Sequence, residues 1–263
     1  MIEAKAITVR RGESEILSSV SVQVMPGELT IVLGPNGAGK STLLAALVGD
    51  LLPVSGSITF DGRPLHDFRK GELALRRAVL PQKSHLAFPF TVREVVELGL
   101  VAIGTGRGRS HAEVVREALA RVGLSDYAAR YYQQLSGGEQ QRVHIARICC
   151  QLAAARSLDA TPYLFLDEPV SNLDLRHQLE TLDIARDFAD QGGGAFAILH
   201  DVNLASLYAD RLVIIDKGRV AASGAPAETL TTEIISRVFN VPVEVNRMPR
   251  GERPFLLPHT ARD

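Results

Sequence analysis

An α/β fold is predicted by three observations in the 263-residue sequence. Short runs rich in β-branched residues alternate with stretches of helical periodicity, the pattern of a sheet covered by helices. A glycine-rich stretch, Gly34-Pro35-Asn36-Gly37-Ala38-Gly39-Lys40-Ser41-Thr42, stands between an apolar run and a helix-like run. A second apolar run, "YLFLDEP", ends in two adjacent carboxylates. Ligands of open α/β sheets bind where strands end, so the last two observations put chemistry at strand ends.

The elements follow in order. "ITVRRGESEILSSVSVQVMPGELTIVLG" clusters β-branched residues between turn signals at Gly12 and Pro26-Gly27. It predicts short strands, the last being Leu29–Leu33. Residues 40 to about 48 read as a helix. "SGSITFDGRPL" is a strand and turn, and "RRAVLPQ" a short strand stopped by proline. From about 88 to 158 the texture is mostly helical. In "HAEVVREALARVGL", Val115, Leu119 and Val122 recur at helical spacing and Gly123 follows as a stop. "GTGRGRS" (104–110) reads as a flexible joint. "PYLFLDEP" and "GAFAILH" return to buried strands, and "DRLVIIDKGRVAASG" is a closing hairpin. The helical stretch reads as a subdomain inserted into an α/β core. Internal repeats and low-complexity segments are lacking.

Composition narrows the function. Hydrophobic residues make up 46% and charged residues 22%, enough for one large core. Lysine plus arginine (29) balances aspartate plus glutamate (30), for a net charge of −1, and gives no electrostatic reason to expect nucleic acid as a partner. The two cysteines, Cys149 and Cys150, are neighbours and cannot staple the fold; they are expected to be two small buried side chains in a reducing compartment. "MIEAKAITVRRG" lacks the apolar core of a signal peptide, and uncharged apolar runs fall short of the roughly 18 residues that span a bilayer. Any membrane role is therefore expected to be peripheral.

The glycine-rich stretch fits G-x-x-x-x-G-K-[ST] without a mismatch. A phosphate chain needs inward-pointing backbone N–H groups that side chains would block, hence the glycines. The helix that follows presents its N-terminal dipole to the anion. Lys40 places a positive charge on the β- and γ-phosphates, and Ser41 lends its hydroxyl to Mg²⁺. Asp167 would hold the same Mg²⁺, directly or through water. Glu168 would act as general base or orient the attacking water. Two further polar residues follow strands: Gln82 after "AVLP" and His200 after "AFAIL". Ser136, Gly137 and Gly138 in "LSGGEQQR" precede a helix-like run in the manner of a second phosphate-binding turn.

The ordered series "GPNGAGKST", Gln82, "LSGGEQQR", "YLFLDEP", "SNLD" (171–174) and His200 resembles the ATP-binding subunit of ABC transporters over nearly the whole chain. The fold that this resemblance implies is a P-loop NTPase (RecA-like) core with an N-terminal antiparallel β part and an inserted α-helical subdomain. The expected organisation is a single ABC ATPase domain over 1–263, with the nucleotide-binding core at 1–87 and 159–225. The helical subdomain with the signature would take 88–158, and a C-terminal extension 226–263. By resemblance, Gln82 lies in a loop sensing both Mg²⁺ and the membrane partner, "LSGGE" is the family signature, Asp174 crosses to a partner subunit, and His200 contacts the γ-phosphate. Two copies would pack head to tail, the loop of one facing the signature of the other, so that ATP is held by Ser136, Gly137 and Gly138 from across the homodimer. The family often stacks an aromatic residue on adenine just before the first turn. Here that position is Arg11, whose planar guanidinium can also stack on a base. Val170 stands where threonine is common.

"LAFPFTVREVVELG" (86–99) and the tail "FNVPVEVNRMPRGERPFLLP" resemble importers for iron chelates, haem and vitamin B12, and the insert "AAARSLDATP" is similar to that of the haem-import members. The resemblance implies an ATPase that energises haem import from the cytoplasmic face of the inner membrane, with polytopic permease subunits and, indirectly, a periplasmic or surface solute-binding protein as partners. Ferric siderophore or vitamin B12 is the alternative cargo. A soluble non-transport ABC ATPase acting on DNA or ribosomes would usually carry two nucleotide domains, long coiled-coil insertions or basic patches, and this sequence has none. A regulatory module without turnover is opposed by the intact Lys40, Asp167, Glu168 and His200.

Overall fold

The computed structural model describes residues 1–82, 86, 88–101, 110–155, 161–248, 251 and 254–261. The expected joint at 104–109, most of the insert at 156–160, and tail residues 249–250 and 252–253 lie outside them. In chain order the elements are β1 (Ile2–Arg11), β2 (Ser14–Val24), β3 (Leu29–Leu33), α1 (Lys40–Leu47), β4 (Ser55–Phe60), β5 (Arg63–Pro64), α2 (Lys70–Arg76), β6 (Arg77–Leu80), α3 (Val92–Glu97) and α4 (His111–Arg121). There follow α5 (Gly137–Ala155), β7 (Tyr163–Asp167), α6 (Leu175–Asp190), β8 (Gly194–Ile198), α7 (Val202–Tyr208), β9 (Arg211–Asp216), β10 (Arg219–Gly224), α8 (Pro226–Thr229) and α9 (Thr232–Phe239). The chain folds into two compact units, one of Met1–Leu65 with Phe196–Asp263, the other of His66–Ala195.

The first unit holds a four-stranded antiparallel sheet of order β2-β1-β4-β5. In its second sheet β10, β9, β3 and β8 follow one another in that order. β3 pairs with β9 in parallel, and β9 turns back on β10 as the expected hairpin. Every side chain of β3 is buried, Thr30 among them, which explains why the rest of the run is apolar.

The N-terminal strands are long, 10 and 11 residues, where short ones are expected from the sequence. The cause is bulging: the β1–β2 register shifts between Ala4 and Ile7 and again near Val9, and Ala6 and Ser19 sit at positive φ (47° and 51°). Bulges break the two-residue alternation that marks a strand without ending its ladder. Polar side chains take up the freed amides: Ala6 N–H donates to Ser21 Oγ at 2.9 Å and Ser19 N–H to Thr8 Oγ1 at 3.2 Å.

The second unit pairs β6 with β7 in parallel, Leu80 opposite Leu166. α5 is its central helix and packs on α3, α4 and β6, burying Val143, Ala146, Ile148 and Cys150. α3 and α4 open with capping boxes, Thr91 with Glu94 and Ser110 with Glu113. Of the two cysteines only Cys150 is buried; Cys149 is half-buried, against the expectation of a buried pair. Neighbours on a helix point about 100° apart, so one face of the core admits only one of them. Both are free thiols, and burial, with Cys149 alongside, pushes the Cys150 thiol up to about 12. Among the described residues, no helix is long and apolar enough to cross a membrane.

Candidate functional site

The first unit carries the glycine-rich loop, and backbone contacts fix its shape. β3 delivers the chain to Gly34, whose φ is 149°. A Cβ there would lie 2.1 Å from the Ile215 carbonyl oxygen, so only glycine fits. Gly39 caps α1 in the left-handed region (φ 104°). A Cβ on it would stand 2.7 Å from Leu17 Cδ2 and 3.1 Å from the Ile16 carbonyl oxygen. Between them, the Ala38 carbonyl accepts from Gly218 N–H at 3.0 Å, and the Gly218 carbonyl accepts from Ser18 N–H at 2.9 Å. The loop is thus tied to the β9–β10 turn and to β2.

Lys40 opens α1 and is only 6% exposed. Its ammonium donates to the Gly34 carbonyl at 2.7 Å and the Pro35 carbonyl at 2.9 Å. Pro35 is half-buried; Asn36, Gly37 and Ser41 are exposed and Thr42 partly so. Leu199 N–H donates to the Val32 carbonyl at 3.2 Å. The exposed His200 therefore leaves β8 beside the strand end from which the loop begins. Arg11 ends β1, exposed, opposite Ser14 across the first hairpin.

The second unit assembles the remaining residues. The parallel register brings the ends of β6 and β7 level, so Gln82 and Glu168, each two residues past a paired leucine, meet. The Gln82 amide donates to Glu168 Oε2 at 2.7 Å. Asp167 is buried at the last position of β7. Glu168 has φ 50°. Left-handed backbone at a non-glycine residue beyond a buried carboxylate is strain of the kind found at functional sites. The turn after Glu168 is closed by Ser171, whose hydroxyl donates to the Glu168 carbonyl at 3.2 Å. Asp174 then caps α6, accepting from His177 N–H at 3.0 Å and pairing with its Nδ1 at 2.7 Å. These bonds, the backbone one foremost, hold its carboxyl below the usual carboxylate range.

Ser136, Gly137 and Gly138 form the start of α5. Ser136 N–H and Oγ–H both donate to Glu139 Oε2 at 2.8 Å, and Glu139 N–H donates back to Ser136 Oγ at 3.4 Å. The serine amide and hydroxyl keep the Glu139 carboxyl below its ordinary range. A Cβ on Gly137 would meet nothing within 4 Å, whereas one on Gly138 would lie 3.3 Å from the Asn172 carbonyl oxygen. The helix start and the 171–174 turn therefore approach each other closely.

Glutamines brace this half. Gln141 donates to the Pro169 carbonyl at 3.2 Å, Gln178 to the Val170 and Leu173 carbonyls at 3.3 and 3.1 Å, and Gln140 to the Tyr132 and Leu135 carbonyls at 3.2 Å. Reading the sequence for phosphate chemistry passes over Glu139, Gln140, Gln141 and Gln178. Only Glu139 carries a sequence signal, the S-x-x-E spacing of a capping box.

A buried lysine locked inside a glycine-rich loop between an apolar strand and a helix defines a P-loop nucleoside triphosphatase. The chain belongs to the ABC transporter family, whose pattern matches residues 17–171. It is 46% identical over 261 residues to the hemin import ATP-binding protein HmuV of Rhizobium meliloti (strain 1021), with 99% of each chain covered. To the hemin import ATP-binding protein HmuV of Mesorhizobium japonicum (strain LMG 29417 / CECT 9101 / MAFF 303099) it is 49% identical over 263 residues, again 99% of each. Among solved structures it is similar to the dimeric post-hydrolysis state of the ATP-binding cassette MJ0796 bound to ADP and Pi, with a TM-score of 0.74 and 25% identity, covering 86% of this chain and 99% of that one. The fold is thus the α/β P-loop fold of ABC ATPases.

Proposed function

We propose that the chain is the ATP-hydrolysing, energy-coupling subunit of a membrane importer for haem. The observation that carries this reading is full-length likeness, 46% and 49%, to two hemin import ATP-binding proteins. In this reading Gly34, Pro35, Asn36, Gly37, Ala38, Gly39, Lys40, Ser41 and Thr42 hold the ATP phosphates. Arg11 stacks on adenine, and His200 touches the γ-phosphate. Glu168 takes a proton from the attacking water, or orients it. The Glu168 backbone strain and its bond to Gln82 support that role, since both restrict where the carboxylate points.

Ser41, Gln82 and Asp167 offer a hydroxyl, an amide and a carboxylate oxygen, the hard donors that Mg²⁺ takes alongside phosphate oxygens. The bound ion neutralises charge on the β- and γ-phosphates. Two copies act together: Ser136, Gly137 and Gly138 of one receive the γ-phosphate of ATP held by the other, and Asp174 reaches across. The dimeric state of the similar cassette supports this arrangement. Polytopic permease subunits seat the dimer on the cytoplasmic face of the inner membrane. A periplasmic or surface solute-binding protein delivers cargo to the permease.

Cells that depend on haem as sole iron source should lose growth when this chain carries Lys40→Ala. Retained growth on haem, with loss on a ferric siderophore or of vitamin B12 uptake, would reassign the cargo. Mixing Ser136→Arg with Lys40→Ala subunits tests the shared site. Each mixed dimer keeps one site free of both changes, so partial recovery of ATPase activity is expected. Mixed dimers without recovery would refute shared sites.

A further inference from the structure

One buried polar pair in the second unit has no part in the phosphate chemistry above. Tyr132 and His144 are 4% and 5% exposed, their rings meet edge-on at 5.4 Å, and Tyr132 Oη lies 2.9 Å from His144 Nε2. Burial, then the nearby Arg147, pushes the imidazole down to about 4, so the pair is neutral near pH 7. His144 Nδ1 is buried with no hydrogen-bond partner. A core that tolerates such an orphan pays for it in stability, and a purely apolar pair would avoid that cost.

The position of Tyr132 gives the pair something to do. It stands three residues before Leu135 and four before Ser136, and His144 lies two turns into the helix that Ser136 caps. Tyr132 N–H donates to the Phe90 carbonyl at 2.9 Å, Val92 N–H to the Arg130 carbonyl at 2.9 Å, and Arg93 N–H to the Ala128 carbonyl at 3.0 Å. Thr91 bridges Tyr131. On its other side the Tyr132 carbonyl accepts from Gln140, eight residues later in the first turn of α5. The segment that delivers Ser136 is therefore clasped to residues 88–93 on one flank and bolted to α5 on the other, and the Tyr132 side chain is the bolt that enters the helix core.

We propose that Tyr132 and His144 are positioning residues: their hydrogen bond sets the height and angle at which Ser136, Gly137 and Gly138 leave the clasp and enter α5, and so the geometry with which that turn meets a γ-phosphate. The proposal rests on the reading of Ser136–Gly138 as a phosphate receptor. It assigns no contact between ATP and either residue.

Tyr132→Phe deletes one oxygen, His144→Leu removes the partner, and His144→Gln keeps a side chain able to bond the phenol. Measured on the full chain are kcat, the KM for ATP, binding of a fluorescent ATP analogue to the monomer, and the midpoint of thermal unfolding. Misplacement of a receiving group acts on turnover, so kcat should fall about tenfold in Tyr132→Phe and in His144→Leu. The double variant should fall no further than either single, His144→Gln should recover most of the loss, and analogue binding to the monomer should stay within about twofold of wild type. Full kcat in Tyr132→Phe, whatever its melting point, overturns the proposal, as does a fall in analogue binding equal to the fall in kcat. Should His144→Leu fail to fold, Tyr132→Phe decides alone. Ser136→Arg serves as the control: if it leaves hydrolysis intact, the phosphate-receptor reading itself is wrong. If it abolishes hydrolysis while Tyr132→Phe does not, only the positioning role is wrong.

Discussion

The residues proposed to handle phosphate are held by different means in the two units. In the first unit the loop from Gly34 to Gly39 is fixed chiefly by main chain: glycines pressed on the Ile215 and Ile16 carbonyls, and an amide relay from Ser18 through Gly218 to Ala38, with the Lys40 ammonium added on two loop carbonyls. In the second unit the turns around Glu168, Ser136 and Asp174 are fixed by side chains: glutamine amides on carbonyls, a capping box, and a serine hydroxyl. Main-chain fixation tolerates no substitution at the contact point but is indifferent to most side chains around it. Side-chain fixation spreads the load, so each brace can be lost at modest cost. The loop is built to hold one shape, the turns of the second unit to be adjustable.

The largest effect should come from breaking the first kind of fixation. Gly34→Ala forces a Cβ into the Ile215 carbonyl, and overpacking with left-handed strain should cost about 3 kcal/mol or more. Urea denaturation should show the loss, together with loss of ATP binding; a midpoint near wild type would mean the loop can relax. Next comes Glu168→Gln, which leaves both scaffolds intact. It should lower kcat by roughly 100-fold or more while ATP still binds and a nucleotide-bound dimer accumulates. Undiminished hydrolysis would remove Glu168 from the reaction.

Acid should expose the second kind of fixation. The folded chain holds His144 at about 4 against 6.5 ordinarily. Between those values the unfolded chain binds a proton that the folded chain refuses, so stability falls as pH falls through that window, by roughly 3 kcal/mol for one such group. Comparing denaturation at pH 7 and pH 4.5, His144→Leu should flatten the slope; an unchanged slope would place the acid sensitivity elsewhere. The smallest effect is expected for Gln141→Ala, which frees the Pro169 carbonyl at about 1 kcal/mol. ATP binding should be unchanged, with kcat down a few-fold; a collapse of stability there would erase the contrast between the halves.

That contrast also governs what could be read from sequence. β3 was legible to the residue and α1 to within one at its end, because a fully buried strand is a largely apolar run and the glycines announce the backbone contacts. Gln82 and Glu168 were legible as strand-end residues, but their 2.7 Å contact depends on the parallel β6–β7 register, which no local pattern reveals. The bulges at Ala6 and Ser19 hid two long strands as several short ones. The braces from Gln140, Gln141 and Gln178 left no trace, since a glutamine that bonds a distant carbonyl looks like any polar residue on a helix. Tyr132 and His144 share that silence: an aromatic and a histidine twelve apart point to no contact until a turn folds between them.

The grip of Lys40 on the Gly34 and Pro35 carbonyls has a thermodynamic corollary. A lysine free in solvent gives up on the order of 2 kcal/mol of rotamer entropy when it is immobilised. Here that loss is incurred when the chain folds, before any anion arrives. A phosphate bound as proposed would exchange two neutral acceptors for charged ones around an ammonium already in place. Association at this point should therefore be driven by heat rather than opposed by ordering, and a calorimetric titration would register it as a favourable enthalpy that Lys40→Ala abolishes.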